Sequence, residues 1–188
     1  MKFTLILVNI IYYLFAGGYK IGDCVKNFSI INTDSSKINL SDFHGSSGVV
    51  LIFSDPDCPY SRAYLNRMQS VSAECLKNNI QCLFIVCEDN QDNSDSLITE
   101  WNLRKNIKFL KDYGFSLADE FEITRYPETV VLKNVKGNFV LHYRGALDDN
   151  PQCEKEVNHR YLSDAITSIK SGNTLIVNEK RPVGCIIR

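Results

Sequence analysis

Cys58 is the residue of this chain best placed for chemistry. It stands between an unbroken apolar run, Val49–Phe53, and a segment whose apolar side chains recur at helical spacing, and Pro59 follows it directly. Proline suits the first position of a helix, because its missing N–H is one the helix leaves unpaired anyway. Cys58 then falls at or beside the N-cap, facing unpaired backbone N–H groups and the positive end of the helix dipole, which both favour thiolate over thiol. A thiolate is a nucleophile toward a disulfide sulfur or a peroxide oxygen. Arg62, one turn on, adds to this if its head folds back toward the sulfur. The alternative is an inert, half-buried cysteine.

The other cysteines are Cys24, Cys75, Cys82, Cys87, Cys153 and Cys185. Cys75 lies in a helical pattern and Cys82 and Cys87 in a strand pattern, so these three read as small core residues. The total of seven is odd, so at least one thiol is free or pairs between chains. Cys58 is the thiol that must be available at some point in a cycle. Cys185 follows Gly184 in a tail of mobile character; three readings stay open for it, namely a thiol that swings to Cys58, a partner for Cys153, or a residue with no role.

The elements that would position Cys58 follow from the apolar patterning. Val49–Phe53 has no alternation, as expected of a strand buried on both faces. From Pro59 to Asn78, Tyr60, Tyr64, Leu65, Met68, Val71, Cys75 and Leu76 make an apolar face, with Arg62, Arg67, Gln69, Glu74 and Lys77 between them. A second buried strand, Cys82–Cys87, completes a strand-helix-strand unit of the length of a right-handed parallel crossover. Upstream, Phe28–Ile31 and Ile38–Phe43 predict an entry hairpin or edge strands, and His44 reads as a solvated loop histidine. Downstream, Glu88–Asp95 is an acidic loop without the glycine and terminal glutamate of a calcium loop. Ser94 or Ser96 caps a helix reaching about Lys105, Ile107–Leu110 predicts a short strand, and Ser116–Phe121 a short helix.

Tyr126–Pro127 precedes a strong strand signal; proline cannot donate to a ladder, so it belongs at the strand's start or on an edge, and a cis bond is compatible with it. Lys136–Gly137–Asn138 turns a hairpin between Thr129–Asn134 and Phe139–Tyr143. Tyr161–Ser171 forms a closing helix that Gly172 ends.

Composition bounds the class. With 188 residues, 44% apolar, and a net charge of −1, the chain supports one complete core and has no basic patch for nucleic acid. Lys2, the apolar run Phe3–Phe15 and the small residues Ala16, Gly17 and Gly18 have the parts of a secretory signal peptide. The expectation is therefore a signal peptide over residues 1–18, a domain over 19–188, and export to a periplasmic or extracellular space. An uncleaved N-terminal segment, and with it a membrane anchor facing the exported side, is the alternative.

In this order the elements resemble the thioredoxin fold, an α/β architecture with a central mixed β-sheet flanked by helices, and specifically the redoxin group related to the AhpC/TSA antioxidant proteins. The likeness spans about residues 22–188. It rests on Asp57–Cys58–Pro59–Tyr60–Ser61–Arg62, Thr124–Arg125–Tyr126–Pro127–Glu128–Thr129, Tyr143–Arg144–Gly145 with Asp148–Asp149, and Pro182–Val183–Gly184–Cys185. The resemblance implies that Cys58 is the nucleophile, that Pro127 is cis and faces it, and that Pro59, Ser61, Arg62, Tyr126 and Pro127 form the substrate surface. Redoxin proteins with a similar Gly-Cys tail imply a resolving role for Cys185.

Two departures rank the chemistry. Thioredoxins carry a second cysteine three residues after the first, and Ser61 stands there, so Cys58 must use a partner, a sulfenic acid or a distant cysteine. Peroxiredoxins place a proline seven residues and a hydroxyl residue three residues before their peroxide-reactive cysteine, and those positions hold Leu51 and Asp55. The expectation is an oxidoreductase acting on protein or small-molecule thiols and disulfides, without cofactor or metal. Peroxidase activity ranks second, and a binding module without turnover is the non-catalytic alternative. Copper handling would need a soft ligand where Arg62 stands, with His142 remote in the hairpin.

Overall fold

The computed structural model describes residues 17–32, 35–88 and 109–187. Ten strands and three α-helices appear among the described residues: β1 Ser29–Asn32, β2 Lys37–Asn39, β3 Gly48–Phe53, α1 Pro59–Lys77, β4 Ile80–Glu88, β5 Phe109–Tyr113, α2 Ser116–Glu120, β6 Arg125–Tyr126, β7 Glu128–Val135, β8 Asn138–Gly145, α3 Tyr161–Ser171, β9 Glu179–Lys180 and β10 Cys185–Ile186. The main sheet runs β2-β1-β5-β4-β3-β7-β8-β9, and β10 and β6 make a separate two-stranded ribbon.

β3 is the centre. It lies parallel to β4 and antiparallel to β7, and all six of its residues are buried. Val50 and Ile52 join Tyr64, Met68, Leu162 and Ile166 in the core beneath α1 and α3. Val49, Leu51 and Phe53 face the other way, into a core closed by Ile30, Leu40, Phe115 and Phe121. A strand covered on both faces has no room for polar alternation, which is why its sequence is continuously apolar. The expected mixed α/β sheet flanked by helices is the observed architecture.

The crossover helix begins at Pro59 and ends at Lys77, and the hairpin turns at Lys136 and Gly137, with φ of 55° and 88°. Two left-handed residues in succession match the twist of the flanking strands. Gly172, at φ 72°, ends α3.

Some expectations shift. Leu76, placed on the apolar face of α1, is 78% exposed, while Arg67, placed among the polar positions, is buried at 6%. The buried stripe runs through Ser61, Tyr64, Arg67, Met68, Val71 and Cys75, and Leu76 lies off it at the last turn. The strand expected from Ile107 extends to Tyr113, because Lys111 and Asp112 are buried polar residues that end an apolar run without ending the strand. Lys111 lies 3.5 Å from the Glu88 carboxylate, and Asp112 accepts the N–H groups of Leu117 and Ala118 at the start of α2. Ile38–Phe43 divides into β2 and a 3-10 turn, Leu40–Phe43. Residues 1–16, most of the acidic loop and the helix expected around Trp101 lie outside the described residues.

Candidate functional site

The turn between β3 and α1 holds Cys58 through its backbone. Ser54 N–H continues the ladder to the Ile85 carbonyl at 2.8 Å, and Cys58 N–H donates to the Asp55 carbonyl at 3.0 Å. Asp57 N–H donates to the Asp55 carboxylate at 2.8 Å. Cys58 then takes the extended N-cap conformation, φ −72° and ψ 122°, with Pro59 opening the helix. Its carbonyl accepts the first helical bond, from Arg62 N–H at 3.1 Å. Burial pushes the Asp55 carboxyl above its ordinary range, against the Asp57 N–H bond that favours its charged form.

The opposite wall is the bend before β7. The Tyr126–Pro127 bond is cis, and the Tyr126 carbonyl oxygen lies 3.4 Å from Cys58 Sγ. Three features hold this bend. The Tyr126 hydroxyl accepts Cys87 N–H at 3.2 Å. The Glu128 carboxylate, 4% exposed, accepts the N–H groups of Thr124 at 2.9 Å and Arg125 at 3.3 Å. Burial raises the Glu128 pKa, with those two backbone bonds opposing the rise.

The structure joins Cys58 to Cys185 in a disulfide, with Cα atoms 6.1 Å apart across 127 residues of sequence. Cys185 does not hang free. It sits in β10, antiparallel to β6, with Cys185 opposite Tyr126 and Ile186 opposite Arg125. Cys153 is unbonded and partly buried, Cys24 is exposed, and Cys75, Cys82 and Cys87 are reduced. The Cys82 thiol beside it, together with burial, pushes the Cys75 thiol up and holds it protonated.

The remaining candidate residues divide. Pro59 and Arg62 are exposed at the helix start, and Tyr126 and Pro127 are buried, the Tyr126 carbonyl facing the Cys58 sulfur. Arg62 does not turn to the sulfur; its guanidinium donates to the Asp57 carbonyl at 2.7 Å. Ser61 is fully buried, and its hydroxyl accepts Asp55 N–H at 3.3 Å. Instead of lining a surface, it braces the turn that carries Cys58.

Sequence reasoning did not find the supports. Glu128 hides in a strand signal, although a carboxylate straight after a proline in an apolar run is itself a flag. Arg67 pairs with Asp148 at 2.7 Å and bonds the carbonyls of Asn150 and Pro151, fixing the loop after β8 to α1. Tyr64 donates to the same carboxylate at 2.7 Å. No local pattern links residues 81 positions apart. His142 bonds Ser168 at 2.6 Å, and no cluster of three or more His, Cys, Asp or Glu side chains able to hold a metal ion occurs among the described residues.

A cysteine at the N-cap of the helix after the central strand, facing a cis-prolyl bend, goes with the mixed sheet and its flanking helices to make this a thioredoxin-fold protein. The chain belongs to the AhpC/TSA family, whose sequence model matches residues 21–134. No curated protein matches it. Among solved structures it is similar to a hypothetical protein from Sinorhizobium meliloti, at 17% identity and TM-score 0.74 over 91% of this chain and 95% of that one. It is similar to an uncharacterized conserved protein from Geobacillus kaustophilus, at 18% identity and TM-score 0.74 over 90% and 92%. The thioredoxin domain of a thiol-disulfide oxidoreductase from Bacteroides vulgatus aligns at 13% identity and TM-score 0.51 over 68% and 91%. These are likenesses of fold.

Proposed function

We propose that this protein is an exported thiol-disulfide oxidoreductase in which Cys58 is the nucleophile and Cys185 the resolving thiol. One observation carries the reading: the disulfide joins the helix-capping cysteine to a tail cysteine directly beside the Tyr126–Pro127 bend. In the reduced protein the Cys58 thiolate attacks a partner disulfide, forming a mixed disulfide and releasing one partner thiolate. The Cys185 thiolate then attacks Cys58 Sγ, closing the intramolecular disulfide and releasing the second partner thiolate. Two electrons pass from the chain to the partner, and the reverse sequence oxidises a dithiol.

Exchange needs thiolate, access and a leaving thiol: the helix start favours thiolate, Cys185 lies within bonding reach, and Cys58, 4% exposed in the disulfide form, gains access on this reading once the tail leaves. Pro59, Tyr126 and Pro127 border the sulfur on this reading, and Arg62, bonded to the Asp57 carbonyl, lies at the helix start beside them. Membership of the AhpC/TSA family favours a second reading, in which Cys58 attacks a peroxide, releasing the alcohol or water and forming a sulfenic acid, and the Cys185 thiol then attacks that sulfur, expelling water and closing the same disulfide. Leu51 is fully buried in β3 and Asp55 carries no hydroxyl, so the peroxide-orienting pair of peroxiredoxins is missing.

Reduced protein mixed with oxidised glutathione or with hydrogen peroxide, followed by mass mapping, tests both. Fast formation of Cys58–Cys185 with glutathione and slow formation with peroxide is the expected result. Modification of other thiols while Cys58 stays unreacted would remove the catalytic reading and leave a binding module. Export rests on the pattern of Lys2, Phe3–Phe15 and Ala16–Gly18. N-terminal sequencing of the mature protein checks it, with a start at about residue 19 expected. Among the described residues no helix is long and apolar enough to cross a membrane.

A further inference from the structure

The tail does more than deliver a thiol. The β6–β10 ribbon is separate from the main sheet, so β6 has β10 as its ladder partner and no other strand among the described ones. The contacts that seat the tail use main-chain atoms of the tail itself. Ile187 N–H donates to the Thr124 carbonyl at 3.1 Å, and Arg125 donates from its guanidinium to the Gly184 carbonyl at 2.9 Å. Val183 and Ile186, the side chains next to Gly184 and Cys185, contribute little, being 56% and 67% exposed.

At the point of closest approach to β6 two tail features decide the fit, the sulfur of Cys185 and the absence of a side chain at Gly184, while Pro182 is buried and Ile187 packs against the core to either side. A Cβ at residue 184 would lie 1.9 Å from the Tyr126 carbonyl oxygen and 2.7 Å from its carbon. Those atoms are backbone, in a stretch held by the Cys87 N–H bond to the Tyr126 hydroxyl and the Arg125 N–H bond to Glu128. Gly184 is not in the left-handed region, so close approach is the reason for a glycine here.

We infer that the tail is a built-in copy of the partner, and that in the reduced protein the β6 edge docks an extended partner segment in which glycine directly precedes the reacting cysteine. This inference rests on the exchange reading above and names its substrate class. An unpaired strand edge offers main-chain bonds to any extended chain, and selectivity then comes from what fits at alternate positions. The partner segment lies antiparallel to β6 with its cysteine opposite Tyr126, as Cys185 does now. Its sulfur is joined to Cys58, so the tail is off the edge in the mixed disulfide. When the Cys185 thiolate attacks Cys58 Sγ, the S–S bond to the partner breaks, the partner leaves as a thiolate, and the returning tail takes back the edge. Resolution and release are thereby one event.

The test uses the full chain carrying Cys185→Ser and three probes, each a mixed disulfide with 2-nitro-5-thiobenzoate: the peptide of residues 181–187, the same peptide with alanine in place of its glycine, and free cysteine. Release of the coloured thiolate by Cys58 is followed by stopped flow. The glycine peptide is expected to react about tenfold faster than the alanine peptide, the equivalent of about one lost interstrand hydrogen bond. Freshly reduced, desalted wild-type protein gives the same order, which guards against a folding defect in the variant. Equal rates for the two peptides, with free cysteine still reacting at Cys58, would overturn the template and leave the exchange reading standing. Failure of all three probes to react at Cys58 would overturn both.

Discussion

Gly184→Ala in the otherwise unchanged chain probes the joint between the tail and the site. The added Cβ would sit 1.9 Å from the Tyr126 carbonyl oxygen, against an ordinary contact near 3.4 Å, so the two strands must separate by 3.4 − 1.9, about 1.5 Å. Tyr126 is held against that displacement by its hydroxyl, which accepts Cys87 N–H, and by the neighbouring Arg125 N–H bond to Glu128. The tail must move, and the bonds from Ile187 N–H to Thr124 and from Arg125 to the Gly184 carbonyl lengthen beyond use. Two hydrogen bonds at about 0.5–1.5 kcal/mol each put the loss at roughly 1–3 kcal/mol, all of it in the oxidised form, where the tail is docked. For a two-electron couple that is a rise of roughly 20–60 mV in the potential of the Cys58–Cys185 pair. Equilibration against glutathione redox buffers, quantified by alkylation and mass spectrometry, reads this directly. An unchanged potential, with the variant folded and Cys58 still bonded to Cys185, would refute the reasoning that close backbone approach is why residue 184 is glycine.

Three further outcomes follow from the packing. Cys185→Ser removes a bond closing 127 residues, and unfolding in urea should show a loss of up to about 5 kcal/mol, which reduction of the wild type should match. Arg67→Ala leaves the Asp148 carboxylate buried with its cation gone, and a loss of about 3–5 kcal/mol is expected, measurable by chemical denaturation with the disulfide intact. Glu128 binds its proton more tightly folded than unfolded, since burial raises its pKa above the ordinary 4.5; its contribution is present below that value and is lost as pH rises through the raised one. Glu128→Gln keeps a carbonyl-type acceptor for the Thr124 and Arg125 N–H groups, so its urea midpoint should fall less than that of the wild type between about pH 4 and pH 8, with Asp55 and Asp112, raised by the same cause, leaving a residual slope.

Much of the scaffold was legible because its signals are local. Val49–Phe53 can only be a doubly covered strand, Cys58–Pro59 marks a helix start, Lys136–Gly137 turns a hairpin, and Gly172 ends a helix; each of these is decided within a few residues by sterics and hydrogen bonding. Leu76 and Arg67 were misassigned because periodicity gives the phase of a helix and not what waits opposite it. Arg67 is inside because Asp148 and two carbonyls meet it there.

That one cysteine caps a helix at the end of the central strand is written in residues 49–62 alone, since strand, turn and helix propensities are short-range. Which thiol it meets depends on the packed chain. Cys185 was open between Cys58, Cys153 and no role, and it meets Cys58 because the tail finds a strand edge at β6, beside Cys58, across 127 residues of chain. Long-range pairing of that kind is set by where two backbones come together in space, and no local pattern records it.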